Sequence, residues 1–176
     1  MNKNLLNSKF LLAAGLIFAA AFTRIIPHYP NFTAVGAIAL FGGTYLPNKK
    51  LAFAVPFVAM ILTDLIIGFH QTMWAVYLSF GLIVLIGMQV SKKKKVSNII
   101  LGTISSSVLF FAITNFAQWL SDPFYAKTGA GLLQCFTLAI PFFGYTVLGD
   151  IFYVAVLFGA YELAKTKLPV LQKVKA

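Results

Sequence analysis

The stretch LAFAVPFVAMILTDLIIGF, residues 51–69, contains a single charged residue, Asp64. A helix needs about 20 predominantly apolar residues to cross the hydrocarbon core of a bilayer. A surface helix of a soluble protein would instead carry polar residues along one face. The stretch therefore predicts a transmembrane helix.

The whole chain has the same character. Of its 176 residues, 60% are hydrophobic and 10% are charged, and the mean hydropathy is +0.87. Soluble domains are about 45–50% apolar and about 25% charged, so this chain has too few polar side chains to cover a water-facing surface. We predict an all-α, polytopic transmembrane helical bundle that forms a single transmembrane domain over residues 1–176.

Six apolar runs are candidate spans. Proline lacks the amide donor of a helix interior and clashes with the preceding turn, so we expect Pro141 to divide the last and longest run. Its first part, 129–140, is then an interfacial or re-entrant segment. The predicted spans are 10–26, 33–46, 51–69, 73–90, 96–120 and 142–163.

The basic residues predict the orientation. If all six runs cross, twelve of the 14 basic residues lie on one side, with Arg24 and Lys127 on the other. Lysine-rich loops face the cytoplasm, so we expect both termini to be cytoplasmic, in the cell (cytoplasmic) membrane. If the short run 33–46 only dips in and returns, the later runs invert and the bias weakens. A short span is acceptable where neighbouring helices bury it.

The N-terminal run also resembles a secretory signal. Lys3 and Lys9 precede an apolar core, and Ala19–Ala21 offers small residues for cleavage. The apolar run continues through Ile25 and Ile26, beyond such a cleavage point. We therefore expect this segment to be retained as the first span.

Several classes of function are disfavoured. The net charge of +10 lies in the connections between apolar runs rather than among polar and aromatic residues of a folded face, so we expect no nucleic-acid partner. Cys135 is the only cysteine, which excludes a disulfide framework or a multi-cysteine metal site. We see no set of residues at catalytic spacing and expect no enzyme activity, metal or cofactor.

Four polar residues lie at membrane depth. With a rise of 1.5 Å per residue, Arg24, Asp64, Asn115 and Asp150 all fall in the outer half of their spans. Charges in a membrane are costly, so they pair inside the bundle or line a water-filled cavity. Arg24 is expected to pair with Asp64 or Asp150. The bundle could use such a pair only to hold helices together, or it could have a polar cavity open to the outside.

We favour the cavity, because there are more polar groups than one ion pair needs. Arg24, Asp64, Asn115 and Asp150 are the candidate substrate-binding residues, with His28, Trp119 and Tyr153 as second-line candidates. Asp150 and Tyr153 share a helix face with Thr146, and Trp119 lies one turn after Asn115.

Small residues mark sites of close helix approach. Gly15 and Ala19 form part of a small-residue strip on the first span, and the pair Gly42-Gly43 lies near the end of the second. We expect close backbone contact at Gly42-Gly43. The strip at Gly15 and Ala19 serves either internal packing or the docking of a membrane partner.

Several short motifs together resemble an uncharacterised family of small prokaryotic membrane proteins. They are Arg24…Pro27-His28…Pro30-Asn31-Phe32-Thr33, Leu40-Phe41-Gly42-Gly43, Asp64…Gly68-Phe69-His70, Thr114-Asn115-Phe116 and Gly149-Asp150. In plan, the six spans and the outer polar site are similar to the S-components of energy-coupling-factor vitamin transporters, which capture a micronutrient from outside.

The resemblance to S-components implies a substrate-binding subunit for uptake. S-components carry an Ala-xxx-Ala pair on the first span that docks their coupling partner, and this chain departs from that pattern with Gly15-xxx-Ala19. The alternative function is a non-catalytic membrane scaffold or assembly subunit, in which the intramembrane charges are structural.

Overall fold

The described part of the protein is entirely helical. The computed structural model describes residues 3–168 and residue 171, with side chains from Ser8 onward. Two of the lysines in the charge count, Lys173 and Lys175, lie outside the described residues. The described elements are α1 (Lys3–Phe22), a short 3₁₀ helix (Thr23–Ile25), α2 (Val35–Tyr45), α3 (Lys49–Ile67), α4 (Met73–Lys92), α5 (Val96–Ser121) and α6 (Gly129–Lys167). The prediction of an all-α bundle is confirmed.

Five of these helices are long and apolar enough to cross a membrane, which makes the chain a multi-pass membrane protein. The exception is α2, the centre of the predicted span 33–46, which has 11 residues and is about 16 Å long. It is nonetheless the most enclosed helix, since every residue from Val35 to Thr44 is buried. Neighbouring helices therefore surround a segment that is too short to span the bilayer as a free helix.

Glycines bring α2 against α4. A Cβ built on Gly43 would lie 3.0 Å from the Cα of Gly87, so the two backbones touch without side chains between them. Gly42 packs in the same way on the ring of Pro56 in α3, and the hydroxyl of Thr44 donates to the carbonyl of Gly87 at 3.2 Å. The close contact expected at Gly42-Gly43 is confirmed.

The expected division at Pro141 is wrong. The helix α6 runs without interruption through Pro141 and has 39 residues in all. The proline removes one backbone hydrogen bond, whereas ending the helix in an apolar setting would leave several backbone groups without partners. The helix does not run straight along α5, however. Cys135 lies beside Asn115 and Asp150 beside Ser107, so α6 uses about twice as many residues as α5 over this interval.

Contacts at the helix ends show that successive helices alternate in direction. The end of α1 meets the end of α3 through Arg24 and Asp64, whereas the end of α2 meets the end of α6 through Tyr45 and Glu162. We call the first end, which also contains Asp150, the outer end and the second the inner end, after the predicted topology.

Candidate functional site

Two adjoining cavities lie at the outer end, with volumes of about 160 and 300 Å³. The smaller contains Arg24 and Asp150 in its wall, and the larger contains Asn115 and Gln118. Both share one wall, formed by Asn31, His70, Val76, Phe110 and Thr146. We call the pair the outer cavity. It brings together three of the four first-line candidates: Arg24, Asn115 and Asp150.

The fourth candidate, Asp64, is the partner of Arg24. The Nη2 atom of Arg24 lies 2.7 Å from Oδ1 of Asp64, and both side chains are largely buried. Nη1 of Arg24 donates to the hydroxyl of Thr63 at 2.5 Å, and the hydroxyl of Tyr77 donates to Oδ2 of Asp64 at 2.7 Å. The guanidinium therefore lies in the cavity wall with its charge already matched.

Asp150 has a different set of partners. The hydroxyl of Ser107 donates to its Oδ2 atom at 2.7 Å, and the backbone N–H of Ala37 also donates to the carboxylate. Ala37 lies in the first turn of α2, and Ala34 at the N-cap has no side chain able to accept a hydrogen bond from that turn. A helix begins with unpaired N–H groups and a partial positive charge. Asp150, from α6, therefore caps α2.

The sequence around Asp150 is adapted to this contact. A Cβ built on Gly36 would approach Cγ of Asp150 to 2.9 Å, so only glycine leaves room for the carboxylate. Gly149 likewise lets the chain at Phe32 and Thr33 pass close, since its Cβ would lie 3.0 Å from the nitrogen of Thr33. The motif Gly149-Asp150 is thus a site where the outer connection and α2 dock on α6.

Asn115 supplies neutral hydrogen-bonding capacity. Its Nδ2 donates to the carbonyl of Phe111 one turn earlier on α5 at 2.8 Å. The hydroxyl of Thr114 likewise donates to the carbonyl of Phe110. Because these bonds stay within α5, neither side chain is needed to join helices, and both are positioned at the larger cavity.

The second-line candidates lie outside the outer cavity. Nδ1 of His28 lies 2.6 Å from the carbonyl oxygen of Ile26, two residues earlier in the chain. Trp119 donates to the carbonyl of Ala126 at 2.9 Å and lies beneath the ammonium group of Lys127. The hydroxyl of Tyr153 accepts from Thr23 at 3.0 Å. These residues hold the outer connections and helix ends in place and do not line the two cavities.

Three residues of the shared wall are not among the candidate site residues predicted from the sequence. Asn31, His70 and Thr146 line both cavities, yet two of them come from connections whose course a sequence does not reveal. The dipeptide Pro30-Asn31 is a signal for a turn in the sequence. In the structure it forms the centre of a turn in which the N–H of Phe32 donates to the carbonyl of Tyr29 at 3.0 Å. Asn31 adopts a φ of 63°, which asparagine tolerates better than most residues.

The outer cavity offers one matched ion pair, one carboxyl group and several hydroxyl, amide and imidazole groups. Such a lining suits hydrogen bonding to a small polar ligand and presents no strong net charge. Among residues 3–168 and 171, no three histidine, cysteine, aspartate or glutamate side chains group as metal ligands would.

Comparisons with known proteins give one match. Neither the curated proteins nor the solved structures include a match to this chain. One family model matches residues 4–171, nearly the whole chain. The protein therefore belongs to a family of unknown function, DUF6580.

Proposed function

We propose that this protein is a membrane-embedded binding subunit of S-component type. It captures a small polar or amphipathic molecule, such as a vitamin or related micronutrient, from the outer side for uptake, without enzyme activity of its own. The observation that carries the proposal is the outer cavity, where Arg24, Asp150 and Asn115 lie in the walls of two adjoining cavities that share the polar residues Asn31, His70 and Thr146. Ligand sites are typically concave, with a few converging polar groups.

The packing of α2 against α6 supports uptake from one side. Toward the inner end, α2 and α6 close on an aromatic cluster of Phe41, Tyr45, Phe158 and Tyr161, with Phe41 and Phe158 centroids 5.3 Å apart. A ligand loaded in the outer cavity would need a rearrangement of this cluster to leave inward. A receptor that hands its ligand to a partner, in the cytoplasmic membrane and with cytoplasmic termini, fits that arrangement.

The proposed membrane coupling partner would dock on α1. Gly15 and Ala19 lie on the exposed face of that helix, and a Cβ on Gly15 would have no neighbour within 4 Å. Small residues allow close approach of a second helix in lipid. This face supports the proposal as the place where a partner could pack.

The alternative is a scaffold in which the charges are structural. It is favoured by the contacts of Asp64 and Asp150, since each carboxylate already has internal partners. The two functions differ in whether the outer cavity holds a ligand.

Native mass spectrometry of gently purified protein, followed by thermal-shift measurements with vitamins, metal chelates and nucleobase-like compounds, tests the proposal. A ligand at a hundredfold excess over its Kd should stabilise the fold by about 2.7 kcal/mol. Thr146→Val and Asn115→Leu should abolish that shift. Thr137→Val is the matched control, because Thr137 makes the same bond to a carbonyl one turn back on α6 but lies outside the cavity.

If no molecule is retained, no compound produces a shift and a deletion strain takes up all of them normally, the uptake function is wrong and the scaffold function replaces it. A shift that Thr137→Val removes as fully as Thr146→Val would also count against the outer cavity.

A further inference from the structure

A larger cavity lies at the opposite, inner end of the bundle. It has a volume of about 440 Å³ and is formed between the connection from α2 to α3 and the last two turns of α4. None of the residues of the outer cavity contributes to it. A molecule bound in this cavity would therefore be independent of the ligand of the outer cavity.

One side of this inner cavity is basic and polar. Lys49, at the start of α3, and Lys92, at the end of α4, both line it, together with Asn48, Gln89 and Ser91. No acidic residue is among its lining residues. Both lysines are exposed, so their ammonium groups can reach an anion at the mouth of the cavity.

The chain has almost no counter-charge for this end. It contains four acidic residues in all, of which Asp64, Asp122 and Asp150 lie toward the outer end. The fourth, Glu162, is held by Lys165 at 2.7 Å and by the hydroxyl of Tyr45 at 2.6 Å. An anion paired with Lys49 and Lys92 would therefore come from outside the chain.

The other side of the cavity is apolar. It consists of Leu46, Ala52, Phe53, Leu85 and Met88. A soluble anion such as inorganic phosphate would leave this surface uncovered. An amphiphile would place its charge on the lysines and its hydrocarbon on the apolar wall.

We propose that the inner cavity is a binding site for an anionic phospholipid. The phosphate group lies between Lys49 and Lys92, and the first part of an acyl chain covers Phe53, Leu85 and Met88. Basic pockets between transmembrane helices at the cytoplasmic side are suited to such headgroups. Lys93 and Lys95 adjoin the cavity but do not line it.

Lipid binding is measured by native mass spectrometry of the full chain in a neutral detergent, with added phosphatidylglycerol or phosphatidylcholine of identical acyl chains. One phosphatidylglycerol should bind in clear preference to phosphatidylcholine. Two lysines near a lipid headgroup contribute about 1 kcal/mol each, so K49Q/K92Q should weaken this binding about thirtyfold. K49R/K92R should retain it.

The matched control is K93Q/K95Q, which removes the same charge from neighbouring residues that do not line the cavity. It should change the affinity less than about threefold. Equal losses in K49Q/K92Q and K93Q/K95Q, or equal binding of the two lipids, would overturn the site. Displacement of the lipid by millimolar inorganic phosphate or glycerol phosphate would show that the cavity prefers a soluble phosphate compound and would also overturn it. Melting temperatures without lipid separate loss of binding from loss of folding.

Discussion

The guanidinium of Arg24 and the carboxylate of Asp64 lie 2.7 Å apart and join the 3₁₀ turn after α1 to the last turns of α3. Thr63 and Tyr77 provide further hydrogen bonds to the two groups. Three segments of the chain thus meet at one ion pair within the wall of the outer cavity. Removing one partner of such a pair leaves the other charge buried and alone, which costs far more than the intact pair contributes.

We expect Arg24→Ala to lower the free energy of unfolding by about 3–5 kcal/mol, because Asp64 then lacks its counter-ion. Adding Asp64→Asn should restore much of the loss. Adding Asp150→Asn instead should restore none, since Asp150 has other partners. Denaturant unfolding in detergent measures all three variants. Equal recovery by the two second substitutions would mean that Arg24 is not specifically paired with Asp64.

The cap on α2 gives a second prediction. In Asp150→Leu the N–H of Ala37 loses its acceptor, and an unsatisfied buried donor costs about 1–3 kcal/mol. Asp150→Asn keeps one acceptor oxygen and should lose less. Ser107→Ala, which removes only the second hydrogen bond to the carboxylate, should also cost less than Asp150→Leu. Thermal unfolding in detergent gives the order, and a leucine variant as stable as the asparagine variant would contradict the capping role.

The contact between α2 and α4 gives a third prediction. Gly43→Ala would force a methyl group against the backbone at Gly87, and overpacking of this kind costs about 1–3 kcal/mol or more. Gly144→Ala is the control, because its Cβ would have no neighbour within 4 Å, and alanine favours a helix by about 1 kcal/mol over glycine. The melting temperature should fall for the first variant and stay level or rise for the second.

Much of the fold follows from the sequence because the length of the apolar runs varies strongly along this chain. The predicted spans 73–90 and 96–120 differ from α4 and α5 by at most two residues at either end. The expected division of α6 is wrong because a proline lowers the local preference for a helix, whereas the surrounding apolar packing decides whether the helix continues. Sequence alone does not show that balance.

The site is predictable from the sequence only in part. Depth along a span can be counted in residues, and this count places Arg24, Asn115 and Asp150 at the same end of the bundle. Rotation about the helix axis and the course of the loops cannot be counted in this way. The course of the loops brings His70 and Asn31 to the outer cavity. It also brings the carbonyl of Ala126 to Trp119. The sequence contains only a weak signal for either arrangement.

The lysines predict a topology that reporter fusions can measure. Fusions after Lys50, after Lys95 and at the C-terminus should all be cytoplasmic, because lysine-rich connections stay on that side. A fusion within 122–128, between α5 and α6, should report the opposite side. A periplasmic signal from the fusion after Lys95 would reverse the names of the two ends and place the outer cavity toward the cytoplasm.

The inner end is held by a polar contact that the apolar composition of the spans did not suggest. Tyr45 donates to Glu162 at 2.6 Å, Lys165 pairs with the same carboxylate, and Lys94 lies 4.5 Å from the centre of the Tyr45 ring. Partial burial, together with the charge of Lys165, lowers the pKa of Lys94. Glu162 is thus the one acid that balances two nearby lysines.

We expect Tyr45→Phe to lower the stability by about 0.5–1.5 kcal/mol, because it deletes the hydrogen bond but keeps the ring under Lys94. Tyr161→Phe, in the same aromatic cluster but without a hydrogen bond to Glu162 among the described contacts, should have a smaller effect.

Glu162→Gln removes the shared counter-charge, and its cost in stability should shrink as the salt concentration rises, since the carboxylate is about half exposed. The loss in Tyr45→Phe should change little with salt. Melting temperatures of the three variants at low and high ionic strength test this, and a salt-independent loss in Glu162→Gln would mean that packing, rather than charge, makes Glu162 important at the inner end.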